Sequence, residues 1–203
     1  MRDIINYPIL TDDEINNILD DPKLKYSIKL YKFIQEEINN NGLSLEDNIP
    51  FRSSYESLYK LSEGIKHQIN KDAYFRVFES IRNNKNIIYD EALQKINDAI
   101  KHNNQNNDFK DHENQKVFAS KMLHTINNDE IIMDMNVSKC FGIRYRTSPQ
   151  FSYDYLKNNI MEYLDSHEEA KRIIKLFDLK YPNNGISDVK KIDFVLWIYG
   201  GKQ

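Results

Sequence analysis

From Thr11 onward, apolar residues recur every three or four positions, with polar residues filling the gaps. That spacing follows one face of an α-helix rather than the alternation of a half-buried strand. Thr11-Asp12-Asp13-Glu14 has the form of a capping box, so a short helix is expected to run to about Asp20, with Pro22 marking its end. Ile28, Tyr31, Ile34 and Ile38 set the stripe of a second helix over Lys25 to Asn40, which Gly42 stops. Tyr55, Leu58, Leu61 and Ile65 mark a third, Ser53 to about Asn70. Tyr74, Val77, Phe78 and Ile81 mark a fourth, Ala73 to Asn84, and the two read equally as one bent helix. Leu93, Ile96 and Ile100 place another over Tyr89 to His102.

Later in the chain the pattern predicts helices from about Glu113 to Ile126, from Asp134, and over Ser152–Leu164, Glu168–Phe177 and Ser187–Ile198. Any strand would be confined to the apolar run Ile131-Ile132-Met133. The chain holds six Gly and five Pro in 203 residues, too few for a turn-dense β architecture. The expected fold is all-α and multi-helix. It reads as a single helical domain, 1–203, in which the polar, aperiodic stretch Asn103–Asp111 is a candidate linker between lobes 1–108 and 109–203. An ordinary surface loop is the alternative reading of that stretch.

Charge narrows the choice of partner. The formal net charge is −3. Residues 109–203 carry 14 Lys+Arg and 13 Asp+Glu, and residues 1–108 carry 14 and 18. A nucleic-acid binder usually shows a basic surplus on its contact face, and this balance does not advertise one. With one cysteine no internal disulfide can form, so a reducing, cytoplasmic setting is expected. The N-terminal apolar run is too short for a signal peptide, and no stretch approaches the roughly 20 apolar residues that span a bilayer, so no membrane partner is expected.

The segment FASKMLHTINNDEIIMDMNVSKCF, Phe118 to Phe141, carries the candidate chemistry. On a helical wheel Phe118, Ala119, Met122, Leu123 and Ile126 form an apolar arc, with Lys121 on the polar side. Lys121 is thus either a solvated surface lysine or, facing a cleft, an amine able to attack an electrophilic carbon. Asp134 precedes a helix. An N-cap role is its ordinary reading, compatible with a preorganised carboxylate that stabilises a developing cation. Arg144-Tyr145-Arg146, with Lys139 nearby, offers cations for phosphates and a ring for stacking on an unpaired base, or equally a surface turn with a half-buried tyrosine.

The order Phe-Ala-Ser-Lys, then an apolar run, then Asp resembles the catalytic segment of helix-hairpin-helix DNA glycosylases, most closely the bacterial 8-oxoguanine-glycosylase-like proteins. The likeness covers roughly residues 115–142, with a fainter echo in VKKIDFVLWIYG around Asp193 and Trp197. It implies a two-lobed helical fold with a cleft and DNA as partner. It also implies excision of a modified base, with Asp134 serving the sugar cation and Lys121 attacking C1′ if the enzyme is bifunctional or contacting the DNA backbone if it is not. The glycine-bearing hairpin of that family is missing, since Val117-Phe118-Ala119-Ser120 contains no glycine, so phosphate anchoring through close backbone approach would need other groups. The alternative is a non-catalytic helical module that binds a protein partner.

No cofactor is expected. His112-Glu113 and His167-Glu168 open like a zinc motif but close on Lys116 and Lys171, and no Gly-rich nucleotide loop is present. Trp197, set among Ile192, Phe194, Val195, Leu196 and Ile198, reads as core rather than as a stacking platform.

Overall fold

The computed structural model describes residues 5–40, 42–107, 111, 115–143 and 152–203. Among them the structure is all-helical: ten α-helices, one 3-10 turn, and no strand, with Ile131–Met133 buried but irregular. The chain divides into two compact units, one formed by Met1–Tyr26 with Asn128–Gln203, the other by Ser27–Asn127. These boundaries replace the expected division at 108/109. Asn103 to Gln105 continue a helix rather than open a linker, because amphipathic packing against the neighbouring helices carries the last turn past the point where apolar periodicity fades.

Local chemistry sets the helix ends. α1 (Asp12–Leu19) starts with the capping box realised: the Thr11 hydroxyl accepts from Glu14 N, and the Glu14 carboxylate takes Thr11 N at 2.7 Å. Pro22 does not merely end that helix. It is the first residue of α2 (Pro22–Ile38), where a missing N–H costs nothing. α3 (Ile49–Tyr59) also begins earlier than the apolar stripe suggests, capped by Asn48, whose Oδ1 accepts Phe51 N at 3.0 Å, and with Pro50 in its first turn. The stripe through Leu61 and Ile65 does not continue as α-helix. Lys60 turns left-handed (φ 53, ψ 45), a 3-10 turn follows over Leu61–Glu63, and α4 (Gln68–Ile81) starts afresh.

α5 (Tyr89–Gln105) and α6 (Lys116–Ile126) complete the unit formed by Ser27–Asn127. Its core is aromatic. Phe51, Tyr55, Tyr74, Phe75 and Phe78 are fully buried, with edge-on contacts such as Tyr55–Phe78 at 5.3 Å between centroids. The phenol oxygens stay satisfied: Tyr55 and Tyr74 share a 2.7 Å hydrogen bond, and Tyr74 donates to the Phe118 carbonyl at 2.9 Å. α6 runs through the middle of this unit. Every residue from Phe118 to Ile126 is buried, so the expected polar face is not a solvent face. Polar groups there find internal partners instead, as when His124 Nε2 meets the Tyr31 hydroxyl at 3.2 Å.

The other unit is built around α10 (Asp188–Gly200), which packs against α7 (Met135–Cys140), α9 (Glu168–Lys180), α1 and α8 (Tyr153–Ser166). α7 and α10 touch backbone to backbone. A Cβ on Gly200 would overlap the Asn136 carbonyl oxygen and carbon and reach Cys140 Sγ at 3.0 Å. Two lysines lie buried on α10: Lys190 Nζ pairs with Asp193 at 2.6 Å, and Lys191 Nζ pairs with Asp178 and Asp188. No helix among the described residues is long and apolar enough to cross a membrane.

Candidate functional site

Lys121 lies in the middle of α6, and only 9% of it is exposed. Its Nζ donates to the Tyr59 carbonyl at 2.8 Å. The same nitrogen sits 4.8 Å from the Phe118 ring centroid and 5.8 Å from that of Tyr59. Sequence spacing alone gave this lysine a polar face and a solvated reading; the tertiary packing of α3 and the 3-10 turn over that face removes it from water. The Gln35 amide of α2 donates to the Thr125 carbonyl at 3.4 Å, and within the helix the Thr125 hydroxyl donates back to the Lys121 carbonyl at 2.8 Å.

Asp134 is the N-cap of α7, in extended conformation (φ −122, ψ 140), and its Oδ1 accepts Asn136 N at 2.8 Å. Its carbonyl is held as well, by Ser138 N at 2.9 Å and the Ser138 hydroxyl at 2.8 Å. Its main-chain carbonyl and one carboxylate oxygen are thus both tied to the first turn of α7. Lys121 and Asp134 belong to different compact units, the boundary falling at Asn127–Asn128 between them.

Of the expected nucleic-acid contacts, Lys139 is exposed in the last turn of α7. Arg144, Tyr145 and Arg146 lie outside the described residues, as do His112 and Glu113 of the first zinc-like pair. No group of three metal-binding side chains occurs among the described residues. Trp197 is half-buried rather than core, with Lys23 Nζ 4.1 Å above its ring.

One constellation went unseen in the sequence. Asp111, 6% exposed, accepts four hydrogen bonds on its carboxylate: Lys66 N at 3.1 Å and His67 Nδ1 at 3.0 Å on Oδ1, and His67 N at 3.1 Å and Asn70 Nδ2 at 3.0 Å on Oδ2. Because a carboxylate only accepts, His67 carries its proton on Nδ1 in this contact. Burial pushes the Asp111 carboxyl up, but the bonds from Asn70, His67 and Lys66 outweigh it and hold it below the usual carboxylate range. His67 is the N-cap of α4 and makes no capping bond with its own side chain, so Asp111 caps that helix from 44 residues away. The only sequence signal was a helix start without a capping residue. Comparison with known proteins finds no matching family, no matching curated protein and no matching solved structure.

Proposed function

We propose that this chain is a DNA-glycosylase-like protein that cleaves the N-glycosidic bond of a modified nucleotide, with Lys121 and Asp134 as its reacting groups. The observation that carries the reading is the placement of Lys121: an amine buried among aromatic rings in the middle of a central helix, at the position where the resembled family keeps its nucleophile. A surface lysine would have no reason to occupy that place, since desolvating an amine costs free energy that its contacts must offset. Asp134 supports the reading through its fixed direction. A carboxylate already oriented by a helix-start amide stabilises a sugar cation with little reorganisation at the moment of bond cleavage.

In this mechanism the Lys121 amine, having lost its proton, attacks C1′ as the bond to the base breaks and the base leaves with the bonding electrons. Asp134 offsets the positive charge that develops on the sugar. Ring opening then gives an imine between Nζ and C1′. Borohydride reduces that imine, so a lesion-bearing duplex should yield a covalent protein–DNA adduct. Lys121→Gln abolishes the adduct. Asp134→Asn keeps the cap, because Asn is also a good N-cap, and lowers cleavage by roughly 100-fold or more, the scale of losing one well-placed charge-stabilising group. Wild-type cleavage by Asp134→Asn, or no adduct from the parent on any lesion in a broad panel, sinks the reading. The second reading, a non-catalytic helical module, draws on the net charge of −3 and the glycine-free Val117–Ser120 stretch. It predicts a folded, inactive protein whose Lys121→Gln variant differs only in stability.

A further inference from the structure

The amine of Lys121 is held by a small scaffold that includes the last residue of α3. Tyr59 supplies the carbonyl that accepts from Nζ at 2.8 Å, and the next residue, Lys60, takes the left-handed conformation that ends α3 at that point. Only two non-glycine residues have positive φ among the described ones, Lys60 and Asn183. A lysine adopts that conformation at a cost, and such costs persist where the surrounding structure fixes them. The second holder is Phe118, three residues before Lys121 and its neighbour on the helix surface, with its ring centroid 4.8 Å from Nζ.

The far edge of the Phe118 ring rests on Gly64. A Cβ at position 64 would overlap Cε2 and lie 3.1 Å from Cζ and 3.3 Å from Cδ2. Gly64 has φ −120 and ψ −29, which any residue can adopt, so the backbone does not demand glycine there. The ring demands it. Phe118 is 7% exposed, and a rigid ring in a packed site cannot swing aside as the end of a long flexible chain would.

Taking the glycosylase reading as its basis, the geometry points to Phe118 and Gly64 as positioning residues for Lys121: Gly64 leaves the space, the ring occupies it, and ring and Tyr59 carbonyl together set where the amine stands. Neither residue touches the reacting sugar. Their effect passes through the amine alone, so it shows in the chemistry of Lys121 with no DNA present.

The test is reductive methylation of the folded full chain with formaldehyde and a borohydride reductant, with labelling at Lys121 read by mass spectrometry across a pH series. The exposed Lys101 and Lys175 serve as internal references. The ring face favours an ammonium ion. In Phe118→Leu, half-maximal labelling of Lys121 is therefore expected about half a pH unit lower, the scale of one cation–π contact, with both references unmoved. Gly64→Ala, which displaces the ring, shifts Lys121 the same way, and Phe118→Tyr, which keeps a ring, restores the parent profile. Gly64→Ala added to Phe118→Leu produces little further shift, because the ring it would displace is gone. An unmoved Lys121 profile in folded Gly64→Ala overturns the assignment, whether or not Phe118→Leu folds. So does a Gly64→Ala shift that persists undiminished in the Phe118→Leu background. Absence of a parent adduct on lesion duplexes defeats the glycosylase reading instead, and leaves the labelling result standing.

Discussion

Removing the Asp111 carboxylate should be among the most damaging single changes in the unit formed by Ser27–Asn127. Asp111→Ala leaves the main-chain bonds at 111 intact, since Asn104 Oδ1 accepts Asp111 N and Asn104 Nδ2 donates to its carbonyl. It strips the acceptor from two backbone amides at the start of α4 and from the fully buried Asn70 amide. A lost cap costs about 1 kcal/mol. A buried donor left poorly satisfied costs about 1–3 kcal/mol, moderated here because Asn70 Nδ2 also reaches Asn104 Oδ1 at 3.2 Å. The expected loss is about 2–4 kcal/mol at neutral pH, a fall in melting temperature of roughly 5–12 °C at this chain length. Asp111→Asn should cost less, because one oxygen still accepts from α4 while the amide nitrogen faces donors. The pH dependence adds a signature. The folded-state pKa of Asp111 lies below its unfolded value, so the stabilisation is fully present above about pH 4 and is lost as pH falls through the folded-state value. The gap between parent and Asp111→Asn should therefore narrow in acid. Urea titrations at neutral and acid pH measure all of this. An Asp111→Ala protein within about 0.5 kcal/mol of the parent, or a gap that widens in acid, would refute the trans-capping argument.

Other expectations follow from single sites. Burial pushes the Cys140 thiol up to about 12, so it should be almost wholly protonated at neutral pH and react with a disulfide reagent far more slowly in the native protein than in urea; equal rates would contradict its burial. Gly200→Ala gains about 1 kcal/mol of helix propensity but forces α7 and α10 apart at a cost of about 1–3 kcal/mol, so calorimetry should show net destabilisation, and a raised melting temperature would show that the two backbones are not in contact. Lys60→Gly removes a left-handed non-glycine residue and should raise stability by about 0.5–1 kcal/mol while leaving Lys121 labelling unchanged; a loss of stability would mean the Lys60 side chain does more than its exposed contact with Glu63.

Much of the helix inventory was legible because amphipathic stripes and caps act locally. Thr11 caps the helix its position in the sequence promises, and Ile28, Tyr31, Ile34 and Ile38 of α2 and Ile96 and Ile100 of α5 face inward as spaced. The exceptions share a cause. The break at Lys60 depends on a backbone conformation that no residue type announces, since a lysine in the left-handed region looks in sequence like a lysine in a helix. The unit boundaries were illegible for a related reason. Met1–Tyr26 and Asn128–Gln203 are joined only through space, and composition changes at neither boundary.

The candidate site shows the same division between local and tertiary information. Asp134 was legible as an N-cap because capping is decided within three residues, and the structure supplies the bond to Asn136 that the position foretold. Lys121 was legible as a lysine on a helix but not as a buried one. Periodicity assigns a helix two faces on the premise that one of them meets water. α6 violates that premise, because residues Tyr31, Gln35, Tyr59, Gly64 and Tyr74 approach it, Lys121 and His124 find partners on those neighbours, and Ser120 and Thr125 bond back to carbonyls of α6 itself. Lys121 and His124, whose partners come from other elements, have little freedom to vary. The physical content of the Lys121 question thus lies less in the lysine than in Tyr59, Gly64 and Phe118, the residues that must keep their shape for an amine to stand where it does.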